Sequence, residues 1–391
     1  MYCRSRGLSA VTRLSMSCAD AMGAQNKLPR MIPRPALRSA EANEGPLHGI
    51  ERRVPASPKY FLNEIKIPNP HPFACVQHIV MDNCGPSMAQ SPQKSSGTRK
   101  TMIKGSIVAL VTPMHADGEI DYRALEGLLD WHVESGTAAI VAVGTTGESA
   151  TLDVHEHLAM IQHCVKYLAG RIPVIAGTGA NSTREAVELT RGAATAGVDA
   201  CLLVTPYYNR PSQRGLYAHF SAVAEAVAVP QILYNVPSRT AVDLSNETAS
   251  RLASLENIVG IKDATGDVSR GKELLSMVPD SFAVYSGDDG TAAQYILAGA
   301  VGNISVTANV VPAKVAALCA AALAGDEETV RRMDHELADI NSALFIEANP
   351  MPVKYALAKM GRMEKGIRLP LTLPEGENAE RIAAALQSLG L

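Results

Sequence analysis

From Lys104 onward, short apolar runs rich in β-branched residues alternate with longer stretches whose apolar positions recur every three or four residues. These are the signatures of strands and of one-faced helices. The runs are SIVALVTP from Ser106, AIVAV from Ala139, PVIAGTG from Pro173, ACLLVTP from Ala200, QILYN from Gln231, IVGIK from Ile258, FAVYSGD from Phe282 and NISVT from Asn303. A strand wet on one face would alternate apolar with polar residues, so near-continuous apolar runs predict a parallel sheet covered on both faces. Eight of them, each followed by a helical stretch, fit a closed (β/α)8 barrel of the TIM type better than an open sheet.

The helical stretches carry their own punctuation. In DYRALEGLLDWHVESG from Asp121, residues Leu125, Leu128, Leu129, His132 and Val133 share one face and Gly136 supplies a stop. Asp153 with Glu156, and Ser182 with Glu185, have capping-box spacing ahead of two more helices. After Thr307 the strand pattern ends and a helical pattern runs from Ala313 to Leu391. The expected division is a catalytic barrel over 102–311 followed by a helical region over 312–391 packed on it.

Residues 1–101 read differently. The first hundred positions hold 11 of the 23 prolines and no sustained period of 2 or 3.6, a composition that supports little core. The segment reads as disordered, or as upstream sequence ahead of a true start at Met102, Met81 or Met88. Met1 to Arg38, rich in Arg and Ser and poor in acids, also has the make-up of an organelle transit peptide. Charge divides at the same place: 14 Lys and Arg against 6 Asp and Glu in residues 1–100 give +8, which leaves −11 for 101–391 in a chain of net −3. An acidic body with only 4% aromatic residues offers nucleic acid neither a basic face nor stacking platforms.

No run approaches the roughly 20 apolar residues a bilayer span requires. The seven cysteines, at 3, 18, 75, 84, 164, 201 and 319, are unpaired by spacing and read as free thiols in a reducing compartment.

In such barrels the chemistry gathers where the strands end. Those ends carry Thr145 and Thr146 in GTTGES, Tyr207 and Tyr208 in TPYYNRP, Tyr234 in LYNVPSRT, Lys262 in GIKDAT and Gly287 in SGDD. Lys262 follows Val259, Gly260 and Ile261, which aims it from a buried strand into the barrel mouth, where desolvation frees its amine to attack a carbonyl. The bland alternative is a stem lying along the wall with its ammonium in solvent. Tyr234 reads either as a proton shuttle beside such a lysine or as a packed ring with a capped hydroxyl. The turn at Thr145, Thr146 and Gly147 offers N–H groups and hydroxyls to a small carboxylate, and Arg239 offers a bidentate fork to a second.

Two nucleotide-like motifs fail on inspection. GDVSRGKE, from Gly266, has Glu273 where a phosphate loop needs a hydroxyl, and GTGANS, from Gly177, has Ser182 where the dinucleotide fingerprint needs its third glycine. Asp288 and Asp289 offer either metal ligation or a helix cap.

Taken in order and spacing, GTTGES, TPYYNRPSQ, LYNVPSRT, GIKDATG, SGDD and ISVTAN resemble the dihydrodipicolinate synthase family of pyruvate-dependent lyases over about residues 102–391. The resemblance implies condensation of pyruvate with L-aspartate 4-semialdehyde on the path to diaminopimelate and lysine, in the cytoplasm, with no metal or organic cofactor. It implies that Lys262 forms a Schiff base, that Tyr234 donates and accepts protons, and that Thr145 links Tyr234 to a Tyr208 supplied by the neighbouring subunit. Thr146 and the backbone at Ile304 would hold pyruvate, Gly287 would stand among the substrate-binding positions, and Arg239 would bind the semialdehyde carboxylate.

The resemblance further implies a homotetramer of tight dimers. Feedback inhibition by lysine would act through Ser149, Ala150, His157, Asn181, Glu185 and Tyr207, although Val154 stands where lysine-sensitive members carry histidine, and His155 beside it would point about 100° away on a helix. N-acetylneuraminate lyases and keto-sugar-acid aldolases share the general pattern. The paired threonines and Arg239 favour the synthase over them, and the full set of lysine, tyrosine and arginine disfavours a non-catalytic keto-acid-binding barrel.

Overall fold

The computed structural model describes residues 102–391, so the expectations for 1–101 lie outside the described residues. Eight parallel strands close a barrel in sequence order. They are β1 (Gly105–Ala109), β2 (Ala139–Ala142), β3 (Val174–Gly177), β4 (Ala200–Val204), β5 (Gln231–Asn235), β6 (Ile258–Asp263), β7 (Ala283–Ser286) and β8 (Gly302–Ser305). All eight apolar runs become strands, and β8 pairs with β1 from Gly105 opposite Gly302 to Val108 opposite Ser305.

Alternation of side chains along each strand separates two apolar layers. Ile107, Ala109, Ile175, Leu202, Ile232 and Ile304 fill the barrel interior. Val108, Ile140, Leu203, Leu233, Ile261 and Val284 face outward into the larger core between strands and helices. The outward facing of Leu233 and Ile261 is what turns their neighbours Tyr234 and Lys262 inward. Below them, Met102 and Ile103 pack against the interior layer, and the Tyr285 hydroxyl donates to the Ile103 carbonyl at 2.8 Å.

The helices are α1 (Tyr122–Glu134), α2 (Val154–Leu168), α3 (Thr183–Ala196), α4 (Gln213–Ala226), α5 (Pro237–Thr240), α6 (Asn246–Leu252), α7 (Val268–Met277), α8 (Ala292–Leu297), α9 (Pro312–Leu323), α10 (Glu327–Ala343), α11 (Met351–Lys359) and α12 (Gly376–Ser388). Their starts follow the sequence signals. Asp153 and Glu156 form a reciprocal capping box on α2, and the Ser182 hydroxyl accepts from Glu185 N on α3. On α1 the expected face is buried, including His132, which shares a hydrogen with the Thr137 hydroxyl at 2.9 Å.

The helical pattern that begins after β8 opens with α9, which packs on β1, α8 and α10. α10 in turn packs on α12, and α12 on α11.

Candidate active site

Register brings the central pair together. Tyr234 on β5 lies opposite Lys262 on β6, and Lys262 lies opposite Tyr285 on β7. Lys262 is 4% exposed, and its Nζ sits 4.5 Å from the centroid of the Tyr234 ring, close enough for a cation–π contact. Burial brings its pKa down from 10.5 to about 8; the negative charge of Asp289 opposes that fall and the positive charge of Arg239 adds to it. At pH 7.5 about a quarter of such a lysine is free amine, against about one in a thousand at the unperturbed value.

Gly287 makes room for that side chain. A Cβ there would stand 2.7 Å from Lys262 Cε and 2.8 Å from Ala264 Cβ, so the absence of a side chain lets the lysine stem pass. Two residues on, the buried Asp289 carboxylate accepts from Asn303 Nδ2 at 2.7 Å, Val306 N at 2.8 Å and Thr307 N at 2.9 Å. It thereby ties the turn after β7 to the end of β8, the strand that carries Ile304. Asp288 accepts from the Thr291 backbone and hydroxyl ahead of α8. Asp288 therefore holds its own turn, whereas Asp289 reaches across to β8.

Burial raises the pKa of the Tyr234 phenol, while Arg239 and a hydrogen bond with the Thr145 hydroxyl pull it back down. Thr145 stands in the GTTGES turn, which is tightly constrained. Val143 and Glu148 hold left-handed φ of 54° and 58°, costly for a β-branched residue. Gly147 N bonds Gly144 O at 3.0 Å, and the Thr112 hydroxyl donates to Gly147 O at 2.7 Å. A Cβ on Gly147 would lie 3.0 Å from Val143 Cα. Beneath the turn, the Glu148 carboxylate is fully buried against Lys354 of α11 and accepts from Arg368 N at 3.1 Å. The Arg368 guanidinium grips both oxygens of Glu156 at 2.6 and 2.7 Å and donates to Thr151 O and Gly118 O.

Thr146 is buried, and Asn349 Nδ2 lies 2.9 Å from its hydroxyl oxygen. Arg239, on α5, donates to the Asn349 carbonyl at 2.8 Å. Residues from the C-terminal region thus touch the turn at Thr146 and Glu148 and the arginine as well. Sequence reasoning assigned no role to Asn349, Glu148 or Lys354. The one available signal was Lys354 itself, a lysine lodged among Val353, Ala356 and Leu357 as Lys262 is lodged in IVGIKD.

The remaining expected residues fall into two groups. Tyr208 is 90% exposed on left-handed backbone, at φ 71°, and meets none of the groups above within its own chain. A cleft of about 350 Å³ runs from Thr145 and Arg239 past Ser149, Ala150, Val154, His157, Glu185 and Tyr207, which places the last set beside the first. His157 donates from Nε2 to Gly177 O at 2.7 Å, and burial lowers its pKa, so it sits there uncharged. Asn181 is not part of that lining; its carbonyl accepts from Asn209 Nδ2 at 2.9 Å.

The rejected motifs have structural roles. Residues 268–273 are already helix, with no loop to cradle phosphate, and a Cβ on Gly271 would lie 2.3 Å from Tyr295 Cζ. Gly177 and Gly179 let strand ends approach, since a Cβ on either would fall 2.2 Å from Val143 O or Val204 N. Cys164, Cys201 and Cys319 are buried, and burial pushes each thiol up to about 12, unfit for thiolate chemistry.

A closed (β/α)8 barrel that gathers a buried amine, a phenol and a guanidinium at its strand ends has the make-up of a barrel enzyme. The chain belongs to the dihydrodipicolinate synthetase family, whose model matches residues 102–389. It is 60% identical over 290 residues to the 4-hydroxy-tetrahydrodipicolinate synthase of Pseudomonas savastanoi pv. phaseolicola, covering 74% of this chain and 99% of that protein. The crystal structure of the chloride-inhibited dihydrodipicolinate synthase from Acinetobacter baumannii complexed with pyruvate is 56% identical, with TM-score 0.73, and the match covers 74% of this chain and 99% of that one. The enzyme of Cyanidioschyzon merolae with lysine bound is 37% identical, with TM-score 0.72, over 74% of this chain and 99% of that one.

Proposed function

We propose that the chain is a 4-hydroxy-tetrahydrodipicolinate synthase that joins pyruvate to L-aspartate 4-semialdehyde through a Schiff base on Lys262. The observation that carries this reading is the buried, depressed-pKa amine of Lys262 set against the Tyr234 ring at the strand ends.

The chemistry follows from the groups present. The Lys262 amine adds to the pyruvate carbonyl, and the Tyr234 phenol gives its proton to the departing hydroxyl so that water leaves; this yields a protonated imine that acidifies the methyl group, with Tyr234 left as phenolate. Tyr234 takes the methyl proton, the resulting enamine forms a C–C bond to the aldehyde carbon, and Tyr234 returns a proton to the aldehyde oxygen. The amino group of the adduct then attacks the imine carbon, closes the ring and releases the Lys262 amine. Thr145 holds the phenol, Thr146 and the backbone at Ile304 bind the pyruvate carboxylate, Gly287 leaves space for the lysine, and Arg239 receives the semialdehyde carboxylate.

Assembly as a homotetramer of tight dimers is part of the proposal. It is supported by Tyr208, whose ring stands in solvent and is free to complete a neighbour's site. Inhibition by lysine at the Glu185 end of the cleft is supported by the position of that carboxylate beside Tyr207. The enzyme would act in the cytoplasm; among the described residues no helix is long and apolar enough to cross a membrane. The test is borohydride reduction in the presence of pyruvate. Wild type should gain a covalent adduct at Lys262 and Lys262→Ala none. Tyr234→Phe should be trapped yet turn over about 10²–10⁴-fold more slowly. An untrapped wild type would end the proposal.

A further inference from the structure

Asn349 is 5% exposed and stands where two carboxylate-binding groups meet. Its backbone carbonyl takes a hydrogen from Arg239 at 2.8 Å and its Nδ2 lies 2.9 Å from Thr146 Oγ1, whereas its Oδ1 has no partner. Leaving a buried amide oxygen unpaired is costly, so an arrangement that does so calls for a reason.

The hydroxyl of Thr146 explains it. A threonine has one hydrogen to give and two lone pairs to receive with. With Asn349 Nδ2 donating to the oxygen, the Thr146 hydrogen is committed to no protein acceptor among the described residues and is free for a carboxylate. With the amide turned over, Thr146 would give its only hydrogen to Asn349 Oδ1, and the substrate carboxylate would face lone pairs.

We propose that Asn349 is a positioning residue for the keto-acid substrate: by donating to Thr146 it aims the threonine hydrogen at the substrate carboxylate. This rests on the lyase reading above and adds to the site a residue from beyond the barrel. Because the same residue meets Arg239 only through its backbone, changes to its side chain leave the arginine contact in place. The pyruvate and acceptor subsites can therefore be perturbed separately.

The experiment measures KM for pyruvate, KM for the acceptor aldehyde and kcat for the full chain, for Asn349→Ala and Asn349→Asp, each alone and combined with Thr146→Val. Asn349→Ala removes the donor; Asn349→Asp keeps the shape and accepts from Thr146, reversing the hydrogen bond. The pyruvate KM should rise about 10-fold in the alanine variant and up to about 100-fold in the aspartate variant, the range of one hydrogen bond to a charged group. Acceptor KM and kcat should stay within about threefold. In the Thr146→Val background, Asn349→Ala should change the pyruvate KM by less than about twofold, because the hydroxyl it orients is gone.

A purely structural role would lower the melting temperature while leaving the ratio of the two KM values unmoved, and that result overturns the assignment. Effects of Asn349→Ala and Thr146→Val that multiply would overturn it too. A wild type that borohydride and pyruvate leave unlabelled would remove the lyase reading and this assignment with it. A labelled wild type whose pyruvate KM ignores Asn349 would remove the assignment alone.

Discussion

Replacing Lys262 by methionine should abolish activity and stabilise the fold. The unfolded lysine titrates near 10.5 and the buried one near 8. At pH 7 both are protonated, so the folded state carries the full cost of a charge it holds poorly, and the difference corresponds to about 3 kcal/mol. Because the folded pKa of this lysine is the lower one, the unfolded chain binds more protons between pH 8 and 10.5, and wild-type stability rises with pH across that window. Methionine matches the stem in length, carries no charge at any pH and fills the same space. In a folded body of this size the gain at pH 7 should appear as about 5 °C in Tm. It should shrink to about 2 °C at pH 9.5, where most of the wild-type penalty has been relieved.

Thermal unfolding of both proteins at equal concentration, at pH 7 and at pH 9.5, reads this directly. A gain of equal size at both pH values would show that methionine packs better and that charge is not the cause. A Tm below wild type at pH 7 would refute the argument outright, because the cation–π contact with Tyr234 and the attraction of Asp289 would then outweigh desolvation.

Gly287→Ala should fold yet lose most borohydride trapping, since its Cβ would displace Lys262 Cε and Cγ; trapping at the wild-type rate would show that the stem has another path. Lys354→Met should destabilise by about 3–5 kcal/mol by stranding the Glu148 charge, and Glu148→Gln with Lys354→Met should recover most of the loss in a denaturant titration. A double variant no better than the single would show that the pair's packing, and not its charge, is what counts. Mixing inactive Tyr208→Phe with inactive Lys262→Ala subunits should restore some activity in hybrid dimers; no recovery in proven hybrids would remove the shared-site model.

The barrel was legible because its strands are buried on both sides and its helices on one, which writes two different periods into the chain. The placement of Lys262, Tyr234 and Thr145 was legible for a related reason: each stands at or just past the end of an apolar run, and a polar residue there in this fold lies near the mouth. Asn349, Glu148 and Lys354 were not legible. The contacts of Asn349 and Lys354 with the GTTGES turn span about 200 residues of chain, and no local period records which distant loop a helix end will meet. The left-handed backbone at Val143 was hidden too, because its strain is held by neighbours in space and leaves no glycine to announce it.

Met102 and Ile103 form the floor of the barrel, with the Tyr285 hydroxyl anchored on the Ile103 carbonyl and Lys262 on the strand between those of Tyr285 and Tyr234. The floor lies at the end of the strands opposite the mouth. A tether fused just ahead of Met102 to fix the enzyme on a bead, an electrode or a partner enzyme would therefore leave the substrate entrance facing away from the support. A tether that pulled those two residues out of the interior layer would open a second hole into the barrel beneath Lys262.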